Sequence, residues 1–152
     1  RSADVCSITG SAFSGFYNQT EGTALVKTIG GDSTSSRDLF KFNETIAPID
    51  SIFISGYSRF LAVEVGIITN NSQQFVHFGS LTRNFERLSL AYAQNSAAYA
   101  RNGNIEATDP FVTTSSSITQ LFLGGEGING CISSFSYYKK RLSNAKLRAL
   151  TV

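Results

Sequence analysis

The stretch FLAVEVGII, residues 60–68, alternates large apolar residues with small or polar ones, and it decides the fold class. One set of alternate positions holds Leu61, Val63, Val65 and Ile67, and the other set holds Ala62, Glu64 and Gly66. Successive side chains of a β-strand point to opposite faces, so this pattern predicts a strand with one buried face.

The same alternation recurs along the chain. ERLSLAYA (86–93) repeats it, and further short β-rich runs are TALVKTI (23–29), DLFKFNE (38–44), SIFISG (51–56), QQFVHFG (73–79) and TQLFLGG (119–125). Turn signals separate these runs, and Asn102-Gly103 is typical of a two-residue type I′ hairpin turn. About ten short strands without a long helical pattern predict an all-β fold, an antiparallel β-sandwich or jelly roll.

Composition indicates one globular domain over residues 1–152. Thirteen basic and eleven acidic residues give a net charge of +2, too small for charge-driven binding to nucleic acid. No apolar run approaches the ~20 residues of a membrane helix, so we expect no membrane insertion. The opening RSADVCSITG lacks the pattern of a signal peptide, and no leader is expected there.

The last stretch, YYKKRLSNAKLRALT (137–151), predicts a short helix capped by Ser143. Leu142 and Leu147 have the spacing of a hydrophobic staple, and Leu150 falls on the same face as Leu147. The basic residues are read as a solvated face, because a nucleic-acid footprint would need a broader patch or interleaved aromatics. Just upstream, a break in the alternation predicts a β-bulge at Ser133-Ser134.

The two cysteines, Cys6 and Cys131, are too few and too far apart for a disulfide scaffold or a zinc site. We expect two free, largely buried thiols, since free cysteine is among the most buried residue types. The alternative is a single disulfide that joins the two ends of the chain.

The two ends of the chain also carry a family resemblance. INGCISSFSYYKKRLSNAKLRALT (128–151) resembles the ending of laminin-G-like, concanavalin A-like domains, and its YY, RLSNA and ALT are similar to C-terminal domains of bacteriophage tail fibre and tailspike proteins. RSADVCSITGSAFSGFYNQTEGTALV (1–26) resembles the first part of the same domains. The likeness covers residues 1–29 and 118–151.

This resemblance implies a concanavalin A-like jelly roll with a short C-terminal helix, at the C-terminal end of a longer chain. It implies a virion protein, assembled in the bacterial cytoplasm, that binds a bacterial surface glycan and trimerises through the parent fibre. It places the first and last strands side by side, with Val5–Ile8 near Gly130–Phe135, and leaves both cysteines reduced. No metal motif or cofactor carries over, and Glu106 and Asp109 form the nearest acidic cluster.

A sugar site needs an aromatic ring for the apolar face of a pyranose and polar side chains for its hydroxyls. Residues of these types near strand ends are Tyr57, Arg59, Arg83, Asn84, Tyr92 and Asn95. Tyr92 is also in phase with Leu88 and Leu90, which would make it a core residue instead. The competing hypothesis is a structural domain that trimerises or caps the fibre tip and binds no ligand.

Catalysis within residues 1–152 is not expected. The only histidine, His77, falls in a strand pattern, and no nucleophile elbow, zinc-protease motif or phosphate loop is present. GGEGING (124–130) lies between two strands and is read as a hairpin loop. An upstream part of the parent chain remains open as a place for catalysis.

Overall fold

The computed structural model describes residues 6–29, 36–44, 50–57, 62–80, 86–124 and 131–152. In chain order its elements are β1 (Cys6–Thr9), α1 (Gly10–Phe16), β2 (Glu21–Ile29), β3 (Ser36–Asn43), β4 (Ser51–Tyr57), β5 (Ala62–Thr69), β6 (Ser72–Ser80), β7 (Glu86–Ala93), β8 (Ser96–Arg101), β9 (Asn104–Asp109), β10 (Gln120–Leu123), β11 (Cys131–Tyr138) and α2 (Asn144–Thr151). Neither helix in this described part is long and apolar enough to cross a membrane.

The strands form two antiparallel sheets. The six-stranded sheet has the order β1-β10-β3-β4-β5-β6, and the five-stranded sheet has the order β11-β2-β7-β8-β9. The predicted all-β, antiparallel sandwich with a short C-terminal helix is therefore confirmed.

The core lies between the inner faces of the two sheets. Val63, Val65 and Ile67 of β5 are fully buried in the same cluster as Leu88 and Leu90 of β7. The alternation that predicted these two strands thus also identified their buried faces.

Asparagine forms the tight turns between strands. Asn102 and Gly103 have φ angles of 46° and 84°, so both adopt the left-handed conformation that a type I′ turn requires. Asn102 accepts a hydrogen bond from the Arg87 amide at 2.9 Å and donates one to Glu86 Oε2 at 2.5 Å. The predicted hairpin turn is confirmed, and the Asn102 side chain joins this turn to the start of β7.

The predicted bulge near the end of the chain is also present. Between Ile132 and Ser134 the pairing of β11 with β2 shifts, so Ser133 is an extra residue on β11. The hydroxyl of Ser133 donates to the backbone oxygen of Lys27 at 3.2 Å, which fastens the bulge to β2.

Helix α2 covers the outer face of the five-stranded sheet. Ser143 caps it by accepting from the Lys146 amide at 3.3 Å, as predicted. Leu147 is fully buried against a cluster formed by Ala91, Ala98 and Ala100, where Leu142 also packs. Small residues on β7 and β8 let the helix lie close to the sheet, and the basic side chains Lys146 and Arg148 stay exposed.

The predicted pairing of the first and last strands is wrong. β1 pairs with β10 at one edge of the six-stranded sheet, whereas β11 pairs with β2 at one edge of the five-stranded sheet. Cys6 is a free, exposed thiol on edge strand β1, so its predicted burial is wrong as well. The side chain of Cys131 lies outside the described part of the chain.

Helix α1 was not predicted. Its sequence GSAFSGF contains two glycines and two serines, which are poor helix formers. Phe13 is its one buried residue and stacks on Tyr17, with ring centroids 4.6 Å apart. Burial of this ring in the core explains why so unfavourable a sequence is helical here.

Candidate functional site

The outer face of the six-stranded sheet is the face that helix α2 does not cover, because α2 packs on the other sheet. We call it the open sheet face and define it by the outward side chains of β3 to β6. These include Asp38, Lys41, Asn43, Ser51, Phe53, Ser55, Ala62, Glu64, Gly66, Ile68, Val76 and Phe78, which alternate with buried core residues.

The first row of this face contains an aromatic ring below an ammonium group. Lys41, Phe53 and Gly66 are cross-strand neighbours on β3, β4 and β5. The Nζ atom of Lys41 lies 5.8 Å from the centroid of the Phe53 ring, within the range of a cation–π interaction. A Cβ atom on Gly66 would stand 2.5 Å from Phe53 Cζ, so the ring rests against β5 only because Gly66 has no side chain.

A second row places acceptors beside an exposed aromatic ring. Ser55 lies between Asp38 and Glu64 across the strands, and Glu64 is paired in turn with Phe78. The hydroxyl of Ser55 donates to Asp38 Oδ1 at 2.5 Å, which orients that carboxylate. The Phe78 side chain is 66% exposed, unusual for so large an apolar residue.

The floor of the face consists of two serines and one phenylalanine. Ser51, Phe53 and Ser55 of β4 are nearly buried, while Lys41 and Glu64 on the flanking strands are partly exposed. The open sheet face is thus a shallow trough floored by β4. Its floor includes one hydroxyl, Ser51 Oγ, that is buried without a hydrogen-bond partner.

Such a surface suits a ligand rich in hydroxyls. The exposed Phe78 ring can accept the C–H face of a sugar, while carboxylates, a hydroxyl and an ammonium group bind its oxygens. Sequence reasoning missed these residues because it sought aromatics near strand ends. The signal was nevertheless present, since Lys41, Phe53 and Glu64 occupy the alternate positions of strongly patterned strands.

Of the predicted sugar-binding residues, Tyr92 is not accessible, and its proposed role is wrong. Its side chain is 0% exposed and belongs to the core. The phenol oxygen lies 2.9 Å from that of Tyr137 and 3.1 Å from the backbone oxygen of Asn18. Burial raises the pKa of Tyr92, so the phenol stays protonated and acts as a structural hydrogen-bonding group.

The remaining predicted residues do not form one described site. Asn95 is exposed in the turn between β7 and β8. Tyr57 ends β4, and its side chain lies outside the described residues. Three others, Arg59, Arg83 and Asn84, lie outside the described residues altogether.

The described residues contain no group of three or more His, Cys, Asp or Glu side chains arranged to hold a metal ion. His77 is partly buried on β6, with its ring centroid 5.4 Å from that of Tyr99. This histidine is a packing residue at the edge of the core, as its strand pattern predicted.

Solved structures with a similar fold include a trans-sialidase, a CBM40 domain and a β-glucanase. The leech intramolecular trans-sialidase, complexed with 2,7-anhydro-Neu5Ac, matches with a TM-score of 0.72 and 14% identity over 99% of this chain, which spans 27% of that enzyme. The Ruminococcus gnavus IT-sialidase CBM40 bound to α2,6-sialyllactose matches with a TM-score of 0.71 and 14% identity, over 89% of this chain and 85% of that one. The Bacillus licheniformis β-glucanase matches with a TM-score of 0.58 and 14% identity, over 78% and 62% of the two chains.

These likenesses establish the fold as a jelly-roll β-sandwich of the lectin and glucanase type. At such low identity they establish the fold alone. No protein-family model and no curated protein sequence matches the chain.

Proposed function

We propose that this chain is a non-catalytic carbohydrate-binding domain whose sugar platform is the open sheet face. The observation that carries this proposal is the row of Lys41, Phe53 and Gly66 beside the row of Asp38, Ser55 and Glu64. One row offers an ammonium group above the nearly buried Phe53 ring. The other offers the oriented carboxylate of Asp38 and leads through Glu64 to the exposed ring of Phe78.

The charges on this face argue against a polyanionic ligand. Its described residues include one cation, Lys41, and two carboxylates, Asp38 and Glu64. A nucleic-acid surface would need a continuous basic patch that neutralises several phosphates. A saccharide needs only a few hydrogen bonds and an apolar surface, both of which the trough provides.

The comparisons support a sugar as the ligand class. The Ruminococcus gnavus domain, which shares the fold over most of its length, is described bound to α2,6-sialyllactose and to α2,3-sialyllactose. Sialyllactose is therefore a rational first probe for this chain.

The biological setting we propose is host recognition by a bacteriophage tail fibre or tailspike. In this setting the domain is part of the virion, binds a bacterial surface glycan and is presented in three copies by the parent fibre. The support is the sequence resemblance at residues 1–29 and 118–151. Weak binding at each shallow face then becomes useful through several linked copies.

The test is calorimetric titration of α2,3-sialyllactose, α2,6-sialyllactose and purified bacterial surface polysaccharides into the wild-type chain, Lys41→Ala and Lys146→Ala. We expect binding that Lys41→Ala weakens about tenfold or more, the effect of losing one charged hydrogen bond. Lys146→Ala is the matched control, because that lysine is exposed on α2. Equal affinities for the two variants would exclude Lys41 from the site.

A second experiment tests the biological setting. The purified domain should bind host bacteria and should not bind the same cells after their surface polysaccharide is removed. A chain that binds none of these glycans but forms a stable trimer by light scattering would instead favour the structural, tip-capping hypothesis.

A further inference from the structure

Phe111 is the most exposed large apolar side chain in the described part of the chain, with 82% of its surface accessible. It lies between β9 and β10, after the strand end at Asp109. The adjacent turn joins β7 to β8, so Phe111 belongs to an end of the sandwich and not to the open sheet face.

Hydrogen bonds hold the backbone on both sides of this ring. Asp109 Oδ1 accepts from the Phe111 amide at 2.8 Å, and the Val112 oxygen accepts from the Asn95 amide at 2.7 Å. The Val112 side chain is fully buried, so the next residue is anchored in the core. The outward position of Phe111 is therefore fixed by its neighbours.

Further contacts fasten the rest of this segment. Thr69 donates its hydroxyl proton to the Thr113 oxygen at 2.9 Å, which joins the segment to the end of β5. The Thr114 amide donates to Gln94 Oε1 at 3.4 Å. Three strand connections thus meet at this end around one exposed aromatic ring.

The surroundings of Phe111 are polar, and the charged groups among them are two carboxylates. Asp109 accepts from the Phe111 amide, and Asp50 accepts from the Ser117 hydroxyl and the Asn70 amide. Residues 69–74, 93–97 and 110–119 contain no Lys, Arg, Asp or Glu and are rich in amides and hydroxyls. Gln94 and Asn95 are exposed in the turn that contacts Val112. A platform of one ring with neighbouring amides and carboxylates, and without a cation in these segments, matches a neutral pyranose better than an acidic ligand.

We propose that Phe111, Gln94 and Asn95 form a second carbohydrate site, specific for a neutral oligosaccharide. The Phe111 ring stacks on the C–H face of one pyranose, and the two amides bond its hydroxyls. A protein partner is less well matched, because a stable interface needs a broad apolar patch rather than a single ring among amides. The inference shares its ligand class with the proposed function, but it uses different residues at a different place.

The test uses the absence of tryptophan from the chain. Phe111→Trp keeps an aromatic platform and adds a single tryptophan reporter. Its emission is followed during titration with lactose, maltotriose, cellotriose and chitotriose. We expect at least one of these neutral sugars to quench and shift the emission saturably.

Two further variants separate ligand binding from folding. Phe111→Ser should lower the calorimetric affinity for the same sugar about tenfold or more. Asn95→Gly should lower it about fivefold, and glycine retains the positive φ of 58° on which the turn depends. Circular dichroism and urea unfolding should show both variants folded.

The inference is overturned if none of the four sugars changes the tryptophan emission, or if Phe111→Ser binds as tightly as the wild type. It is also overturned if Phe111→Ser changes the oligomeric state and leaves sugar binding intact, since that result assigns the ring to a protein contact. Lys146→Ala, which changes an exposed lysine on α2, should leave neutral-sugar binding at Phe111 unchanged. Failure of sialyllactose binding with retained neutral-sugar binding would refute the open sheet face alone.

Discussion

Replacing Leu147 with alanine tests how helix α2 is attached to the sandwich. Leu147 is 0% exposed and inserts among Ala91, Ala98 and Ala100, the small residues on the outer face of the five-stranded sheet. The eight-residue helix is too short to be stable alone, so its position depends on this contact.

The magnitude follows from the atoms removed. Leu147→Ala deletes three buried carbons, worth about 2.4 kcal/mol at about 0.8 kcal/mol each. The sheet backbone beneath cannot move into the space, but the short helix can settle toward it and leave a cavity of about 30 Å³. At about 24 cal/mol per Å³ this adds about 0.7 kcal/mol, for a loss near 3 kcal/mol in the free energy of unfolding.

Urea unfolding followed by circular dichroism measures this loss, and the midpoint of thermal unfolding should fall by about 6–12 °C. Lys146→Ala is the control, since it removes an exposed side chain from the adjacent position and should change stability by less than about 0.5 kcal/mol. If both variants lose the same stability, the buried face of α2 is assigned wrongly and the reasoning fails.

Three other perturbations test the site and the core. Gly66→Ala would bring a Cβ atom to 2.5 Å from Phe53 Cζ and displace the ring. The calorimetric affinity for sialyllactose should then fall about fivefold or more. An unchanged affinity would show that Phe53 is not part of the sugar platform. Gly22→Ala would crowd the phenol groups of Tyr92 and Tyr137 and should lower the free energy of unfolding, measured in urea, by about 1–3 kcal/mol. A variant as stable as the wild type would contradict this packing. Burial raises the pKa of Asp50, but hydrogen bonds from Ser115, Ser117 and the Asn70 amide bring it below its ordinary 3.8. The ionised carboxylate therefore contributes its full stabilisation above about pH 4, and this contribution is lost as the pH falls through the lowered pKa. Asp50→Asn should make the free energy of unfolding depend less steeply on pH below about pH 4. The same steepness as in the wild type would contradict this role of Asp50.

Local sequence pattern accounts for most of the strands. The period of two located the buried faces of β5 and β7 because burial against the second sheet imposes that alternation. The Asn102-Gly103 turn and the Ser143 cap were also predictable, since each depends on the conformational or hydrogen-bonding properties of one or two residues.

Features that depend on distant contacts were not predictable. The pairing of β1 with β10 is determined by neighbours far along the chain, and no local pattern distinguishes β10 from β11 as a partner. The helical state of α1 is decided by the pocket that receives Phe13.

The candidate site shows the same limit. The sequence indicates that Lys41, Phe53 and Glu64 point away from the core. It cannot indicate which of the two outer faces is covered by α2, because that depends on where the last residues dock. The sequence pattern did not predict the exposed position of Phe111 either. Hydrogen bonds among three loops that are distant in sequence hold this residue in place.

The pairing of β11 with β2 has a consequence for how the protein is made. Cys131 pairs with Ile29 and Tyr138 with Thr23, so more than a hundred residues separate the partners. At about 5–20 residues per second, a ribosome needs about 5–20 s to synthesise that interval. Throughout this time the edge of β2 that later pairs with β11 has no partner strand in the nascent chain. An unpaired strand edge is a template for aggregation. Yield in cells should therefore depend on how quickly residues 131–138 emerge, even though these residues lie far from either sugar platform.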